Sequence, residues 1–272
     1  MVRGQYAAGT GMLLQRRLME NITHNITNAD TTGYKKQHLV SHSFDDVLLR
    51  RINDTHVLGH TWKVGPYNFG TQIDQLYINY ETGSMDGTER STDIALVGDV
   101  FFAIGTQEGE RYTRCGAFYI DSAGYLVDGG NIIDHAGEGN YLLDVNGNSI
   151  YVGGPNFTID DVGNVIIGGE ITTRIRVVSF ADYDNGDGNP VRNGQLRKQG
   201  DNLYRVLDGE APEAVTKQYR MMQGFLETSN VDIGREMVDM LTIYRTYETN
   251  QRMLTMIDEI AGKAVNEIGR LR

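Results

Sequence analysis

The sequence has few residues that constrain a chain covalently. It contains one cysteine, Cys115, four prolines and one tryptophan among 272 residues. A single cysteine cannot form a disulfide within the chain, so the fold must be stable without covalent cross-links. A chain of this length can bury a core large enough for that, and 40% hydrophobic with 22% charged residues is the balance of a globular protein.

Long hydrophobic runs are also missing. No stretch approaches the roughly 20 apolar residues of a transmembrane helix, and residues 1–17 lack the apolar core of a cleaved secretory signal. We therefore predict no insertion into a lipid membrane, and a chain that is cytoplasmic or exported by a route that reads no cleaved signal. The net charge of −11 disfavours a nucleic-acid partner, because a phosphate backbone attracts basic surfaces.

Catalytic and cofactor motifs are absent from the sequence. It has no Walker loop, no GxSxG, no dinucleotide fingerprint opening a helix and no histidine placed with a nucleophile. His56 and His60 have no partner at a metal-ligand spacing. The prediction is no catalytic residue, no cofactor and no metal site.

The acidic segment from Asp182 to Asn189 is the best candidate for a calcium loop, but its spacing is wrong. An EF-hand needs an oxygen ligand at the fifth position, glycine at the sixth and glutamate at the twelfth. Here those positions are Gly186, Asp187 and Asn193. We interpret the segment as an acidic loop in solvent.

A long apolar seam occupies the C-terminal end of the chain. From Met237 onward, apolar and aromatic residues recur at alternating intervals of three and four, which is the spacing of a coiled-coil face. A second apolar line beside it makes the stripe wider than one partner helix covers. A core helix of an ordinary domain would show similar spacing. The residues assigned to the seam as an assembly interface are Met237, Met240, Tyr244, Tyr247, Leu254, Ile257, Ala261, Ala264 and Ile268.

The N-terminal end also predicts a helix, from residue 2 to about 28. Three glycines weaken its first half, which indicates either close approach of another helix or fraying. The helix should stop at Asn28 to Gly33, where Gly33 can take positive φ. Its apolar face, the second part of the predicted interface, is Leu14, Leu18, Ile22 and Ile26.

Between the ends, from Val64 to Arg205, short alternating segments separated by Gly, Asn and Asp predict an all-β body. A weak internal repeat places Asp three residues before Gly at Asp121, Asp144 and Asp160. Asp and Gly at this spacing suit a type I turn, so we predict three successive hairpins. A calcium β-roll is disfavoured because its nonapeptide repeats are absent.

Three stretches, taken together and in order, resemble the flagellar rod and hook protein family. Asn25 to Lys35 resembles the signature that closes the N-terminal helix, and Leu226 to Val231 with Arg245 to Asn250 resembles the C-terminal one. Thr92 to Phe102, followed by Tyr112-Thr-Arg114, resembles the internal motif of rod proteins. The motif residues are Asn25, Asn28, Thr31, Gly33, Tyr34, Asp93, Gly98, Phe101, Phe102, Ser229, Asn230, Val231, Glu236, Arg245, Tyr247, Glu248 and Asn250.

This resemblance implies a function. Such proteins are exported unfolded through the flagellar type III apparatus and polymerise, with copies of themselves and with other rod and hook proteins, into the helical drive shaft of the basal body, outside the cytoplasmic membrane. Chain length and the Leu-Glu-Thr-Ser-Asn-Val motif favour rod over hook, and distal slightly over proximal rod. Asp99-Val100 and Cys115 depart from the family pattern and bear on local turn geometry.

The expected fold class is α+β: a mainly-β central body with N- and C-terminal α-helices that form a coiled-coil-like helical domain. Residues 1–35 with 225–272 would be the helical polymerisation domain, and residues 36–224 the β-rich body with hairpins. A second hypothesis is a soluble, β-rich extracellular binding module or hydrolase with a pocket in the β body. The missing catalytic constellation and the apolar ends favour the structural subunit.

Overall fold

The protein divides into two compact units, each built from segments that are distant in the sequence. The structure, a computed structural model, describes residues 2–51, 62–129, 140–180, 196–200, 202–206 and 218–268. His56, His60 and the Asp182 to Asn189 loop lie outside these ranges. Unit 1 is Met1–Thr27, Gln37–Tyr77 and Asp232–Arg272, and unit 2 is Asn28–Lys36 and Ile78–Val231.

Unit 1 contains both terminal helices and two small sheets. Helix α1 is Val2–Thr27, and helix α2 is Ile233–Lys263, continued by a π-helical turn, Ala264–Ile268. Asp232 caps α2, since its carboxylate accepts the backbone N–H of Arg235 at 3.2 Å. Strand β1 pairs with β4, and β2 pairs antiparallel with β3. These strands are β1 Gln37–Ser43, β2 Val47–Arg51, β3 Trp62–Tyr67 and β4 Thr71–Ile78.

The predicted coiled coil of the two terminal helices is wrong. The fold is mainly β with one helix at each end, and in the predicted seam Met237 and Tyr244 are 52% and 51% exposed. Where α1 and α2 meet, α1 presents polar and small residues, and a Cβ on Gly4 would lie 3.1 Å from Ile257 Cδ1. Gln5 Nε2 donates to Asp258 Oδ1 at 2.8 Å, and a Cβ on Gly11 would lie 3.1 Å from an Asn250 side-chain atom. Knobs-into-holes packing needs apolar side chains here, and glycine supplies none.

Unit 2 contains the β body. Its largest sheet has eight strands in the order β16-β17-β8-β7-β11-β10-β9, with β15 also on β7, and β12-β13-β14 form a three-stranded sheet. Two further pairs, β18 with β6 and β19 with β5, join the two ends of the body. Its first strands are β5 Met85–Gly87, β6 Ile94–Val97, β7 Phe101–Thr106, β8 Gly109–Thr113, β9 Phe118–Ile120, β10 Leu126–Asp128 and β11 Tyr141–Leu142. The remainder are β12 Phe157–Ile159, β13 Asn164–Ile167, β14 Glu170–Arg174, β15 Val177–Val178, β16 Leu196–Gly200, β17 Leu203–Val206, β18 Arg220–Gln223 and β19 Phe225–Glu227.

Strand β7 is the centre of the unit 2 core. Successive side chains of a strand point to opposite faces, and both faces of β7 are covered. Phe102 and Ile104 lie in one apolar cluster, with Phe118 edge-on to Phe102 at 5.2 Å between ring centroids. Phe101 and Ala103 lie in a second cluster on the other face. An unbroken apolar run in the sequence therefore becomes a strand buried on both sides.

The three Asp-x-x-Gly segments form the same turn, as predicted. In each, the aspartate carbonyl accepts the N–H of the glycine, and carboxylate Oδ1 accepts the N–H groups two and four residues later. Each glycine has positive φ, for example +94° at Gly163. Partial burial opposes ionisation of Asp160, but hydrogen bonds from the Asn164 backbone and side chain and the Val162 backbone outweigh it and lower the pKa of Asp160.

Replacing Asp160 by Ala should lower the free energy of unfolding at neutral pH by about 1–2 kcal/mol, because two backbone N–H groups lose a charged acceptor. A lowered pKa stabilises the fold above the ordinary carboxyl pKa and ceases to do so as pH falls through the folded value. The cost should therefore shrink below about pH 4. Urea unfolding at neutral pH and below pH 4 measures the loss of unfolding free energy in the variant. Neighbouring Asp161, which is exposed, is the control, and an equal loss in Asp161→Ala would contradict the turn assignment.

Candidate functional site

The N-terminal signature begins with a buried amide in unit 1. Asn25, 1% exposed, accepts the backbone N–H of Gln37 at 3.0 Å and donates to the Gln37 carbonyl at 2.9 Å. The same amide donates to Glu236 Oε2 of α2 at 3.3 Å. Glu236 is the one buried residue among the described residues of α2. Asn25 and Glu236, both predicted motif residues, thus join the end of α1 to the start of α2.

Residues 28–36 form a tight turn inside unit 2. Gly33 has φ +65°, as its position after the helix predicted, and its N–H donates to the Glu227 carbonyl at 2.7 Å. A Cβ at Gly33 would lie 2.6 Å from the Arg114 backbone, so any other residue would clash there. Within the turn Thr31 Oγ1 donates to Asn28 Oδ1 at 3.3 Å.

Three buried charged side chains, Lys35, Arg114 and Glu227, meet at this turn. We call these three residues, together with Gly33 and Asn230 beside them, the junction. Lys35 Nζ donates to Glu227 Oε1 at 2.6 Å and to the Glu81 carbonyl at 2.7 Å. Arg114 Nε lies 3.9 Å from Glu227 Oε2. All three charged side chains are at most 1% exposed. The junction joins the two terminal signatures to the Tyr-Thr-Arg stretch of the internal motif.

The charges of the junction compensate one another. Burial lowers the pKa of Lys35, and the carboxylate of Glu227 offsets part of that shift. Asp99 adds a second negative charge that favours the protonated amine. Arg114 Nη2 donates to the Gly98 carbonyl at 2.6 Å. The Arg114 guanidinium opposes protonation of Lys35, so the two buried cations are compensated by the Glu227 carboxylate, with Asp99 as an additional negative charge.

Asn230 holds the C-terminal signature in place by its side chain. Its Oδ1 accepts the backbone N–H of Lys36 at 2.7 Å, and its Nδ2 donates to the carbonyls of Asn79 and Glu81 at 2.9 and 3.1 Å. The Val231 N–H donates to Ser229 Oγ at 3.3 Å. Three of the predicted motif positions, Ser229, Asn230 and Val231, thus shape the chain just before α2.

Phe101 of the internal motif belongs to the core around the junction, with its ring centroid 5.4 Å from the guanidinium carbon of Arg114. The ring centroid of Tyr34, from the N-terminal signature, lies 3.9 Å from the Lys198 ammonium. Burial lowers the pKa of Lys198 to about 8. Gly98 has φ +114°, and a Cβ there would lie 2.8 Å from a backbone oxygen.

Asp93 is 1% exposed, and among the described residues its carboxylate receives an ion pair from Arg90 at 3.9 Å and no hydrogen bond. Its carbonyl accepts the N–H of Gly224. This motif position therefore ties the turn before β6 to the turn between β18 and β19.

The predicted interface residues are divided between buried and exposed positions. On α1, Leu14 and Ile22 are buried and Leu18 and Ile26 are half-buried. The side chain of Ile268 lies outside the described residues. The half-buried positions of α2 that keep the three-four spacing are Met240, Ile243, Tyr247, Asn250, Leu254, Ile257, Ala261 and Ala264. The predicted seam and this face therefore share six positions, whereas Met237 and Tyr244 are exposed.

Sequence reasoning did not select the three charges of the junction or Ile243. Lys35, Arg114 and Glu227 each lie in one of the three signatures that resemble the family. A charged residue among apolar or turn-forming residues in each signature was the available indication of a charged cluster. Of the other C-terminal motif positions, Arg245 is exposed and Glu248 half-buried.

Neither a metal centre nor a membrane span is found in the described residues. Within the described ranges no three His, Cys, Asp or Glu side chains are grouped to hold a metal ion. Nor is any described helix both long and apolar enough to cross a bilayer.

Comparison with known proteins agrees with the position of these signatures. Residues 222–267 match the family "Flagellar basal body rod FlgEFG protein C-terminal". The flagellar hook-basal body complex protein FlhO of Bacillus subtilis is 30% identical, with all of both chains covered. The flagellar basal-body rod protein FlgG of the same bacterium is 31% identical over 98% of this chain and 99% of its own. The chain belongs to the flagellar basal-body rod protein family.

The similar proteins include rod proteins with different names. FlgF of Caulobacter vibrioides is 28% identical, with 98% of each chain covered. The likeness therefore extends over the rod proteins as a class, and it places the chain in the flagellar basal body. The matched C-terminal region contains Glu227, Asn230, Glu236 and all of α2.

Replacing Lys35 by Met should cost about 3–5 kcal/mol of unfolding free energy, because it leaves the buried Glu227 carboxylate without its nearest cation. The double variant Lys35→Met/Glu227→Gln should cost less than the sum of its single changes. Urea unfolding of the four proteins measures the coupling.

The exposed pair Arg220–Asp161 is the matched control, since both side chains are more than 60% exposed. Arg220→Met should cost no more than about 1 kcal/mol. Additive effects in the Lys35 and Glu227 cycle would show that the junction does not couple the two signatures.

Proposed function

We propose that the chain polymerises as an axial subunit of the basal-body rod, the shaft that carries torque from the motor to the hook. Membership of the family implies assembly with other flagellar rod and hook proteins. The polymer of copies of this chain, its export through the flagellar type III apparatus and the lack of a catalytic role are proposals that rest on that membership. The alternative of a soluble binding module or hydrolase receives no support from the relatives, which are named as rod and hook-basal body proteins.

The exposed apolar surface of α2 is the observation that carries the proposal. Leu241 is 59% exposed and Tyr244 51%, and near the other end of the helix Met256 is 55% and Ile260 57% exposed. Large apolar side chains exposed together, in the region that matches the family, are typical of a surface that another protein covers. We therefore assign this surface to neighbouring subunits.

The exposed residues form two groups on opposite flanks of the helix. Met237, Leu241 and Tyr244 follow one another at intervals of four and three, and Met253, Met256 and Ile260 at three and four. At about 100° per residue, the centres of the two groups lie roughly 125° apart around the helix, one on each side of its half-buried face. A helix with one apolar flank at each end can contact two different neighbours, as a subunit inside a polymer must.

Replacing Leu241 and Tyr244 together by Glu should abolish swimming without unfolding the protein. Both side chains are exposed in the single chain, so the melting temperature should change by no more than about 2 °C. In a polymer the two new carboxylates would be buried without partners. Motility on soft agar, with the variant replacing the chromosomal copy, and thermal unfolding of the purified chain are the two measurements.

The control places the same charge on exposed apolar residues of the β body. Ile171 and Val162 are 65% and 47% exposed in unit 2, and Ile171→Glu/Val162→Glu should swim normally. Normal motility of the α2 variant would contradict the assignment of this flank to a subunit interface.

A further inference from the structure

The three equivalent aspartate turns differ in one respect, the second carboxylate oxygen. In the turn at 160, Asp160 Oδ2 accepts from Asn164 Nδ2 at 2.7 Å. In the turn at 144, Asp144 Oδ2 accepts from Thr173 Oγ1 at 3.2 Å. In the turn at 121, Asp121 Oδ2 is buried and accepts no hydrogen bond from any described residue. The first turn alone therefore leaves a buried acceptor unused, which is costly in a folded protein.

Asp121 lines a cleft of about 600 Å³ in unit 2. Tyr125 and Tyr141 also line it, with their ring centroids 5.9 Å apart and their planes at 82°. The remaining polar lining is Asn148 and Ser149. A volume of this size is within the range of small-ligand sites, which are usually aromatic with a few placed polar groups.

The lining selects for positive charge. Asp121 is the one charged residue among the described residues of the lining, and two aromatic rings line the same cleft. A ring face attracts a cation through its quadrupole, and perpendicular rings with an acid beside them are the arrangement that recognises ammonium groups. The negative charge of the Asp121 carboxylate at the wall of the cleft attracts a cation and not a neutral ligand of the same shape.

We propose that this cleft is a binding site for an organic cation, an ammonium or guanidinium group carried by a small molecule or by a lysine or arginine side chain. Asp121 provides the charge, and Tyr125 and Tyr141 provide the ring surfaces. Asn148 and Ser149 accept or donate hydrogen bonds at the rim and orient the rest of the ligand. The site is independent of the α2 surface assigned to assembly.

The test compares a cation with its neutral isostere on the full chain. Choline and 3,3-dimethylbutan-1-ol have the same shape, but only choline carries a charge. Titration followed by the ring resonances of the tyrosines in NMR should show choline binding at least about tenfold more tightly. Nα-acetyl-argininamide is the second arm, and a preference for it over choline identifies a protein side chain as the source of the cation.

The repeat supplies the matched variants. Asp121→Asn keeps Oδ1 as acceptor for the Ala123 and Tyr125 N–H groups, so the turn should persist while the charge is lost. We expect choline affinity to fall about tenfold or more. Asp160→Asn, the same change in the same turn away from the cleft, should leave it unchanged.

A second variant, Tyr141→Leu, removes one ring wall and should also weaken binding. Equal binding of choline and its neutral isostere, or full affinity in Asp121→Asn, overturns the proposal, as does the absence of shifts with both cations.

Discussion

The buried ion pair between Lys35 and Glu227 is the contact that brings the two terminal signatures together within unit 2. Its nitrogen and oxygen are 2.6 Å apart and neither side chain reaches solvent. A buried ion pair often adds little net stability, because desolvation opposes the Coulomb attraction, but it tolerates no substitution of one partner and so specifies geometry. The backbone around it is equally restricted: a Cβ at Gly33 or Gly83 would lie 2.6 or 2.1 Å from backbone atoms. Charge and close packing together hold residues 28–36 against residues 227–231 within unit 2.

Much of unit 2 could be predicted because its determinants are local. An aspartate three residues before a glycine forms its turn from contacts within five residues, and all three examples do so. The run from Val100 to Ile104 lies within the stretch predicted to form short strands, and its burial on both faces follows from its lack of polar residues. The motif positions Asn25, Gly33 and Asn230 also proved to make specific contacts, although the sequence gives no indication of their partners.

The errors came from contacts over long sequence distances. Periodicity showed a helical stripe on α2 but did not determine which flank would be covered, because Tyr244 and Ile243 are both apolar enough to lie on either side of the boundary. The structure covers Ile243 and exposes Tyr244. Predicting a coiled coil required the partner helix to offer apolar side chains, whereas α1 offers glycines at the positions that face Ile257 and Asn250. The junction was missed for the same reason: no local pattern states that Lys35 meets a residue 192 positions away.

That separation has a consequence for the order in which the protein folds. Loop closure must occur before long-range contacts stabilise the fold, so chains dominated by such contacts fold slowly. Lys35 is synthesised early and Glu227 near the end of the chain. The pairings of β18 with β6 and of β19 with β5 likewise form only after β18 and β19 have been synthesised. Until the segment from Arg220 to Glu227 is available, β6 and β5 lack their partner strands. The native fold of unit 2 can therefore be completed only after the segment from Arg220 to Glu227 has been synthesised.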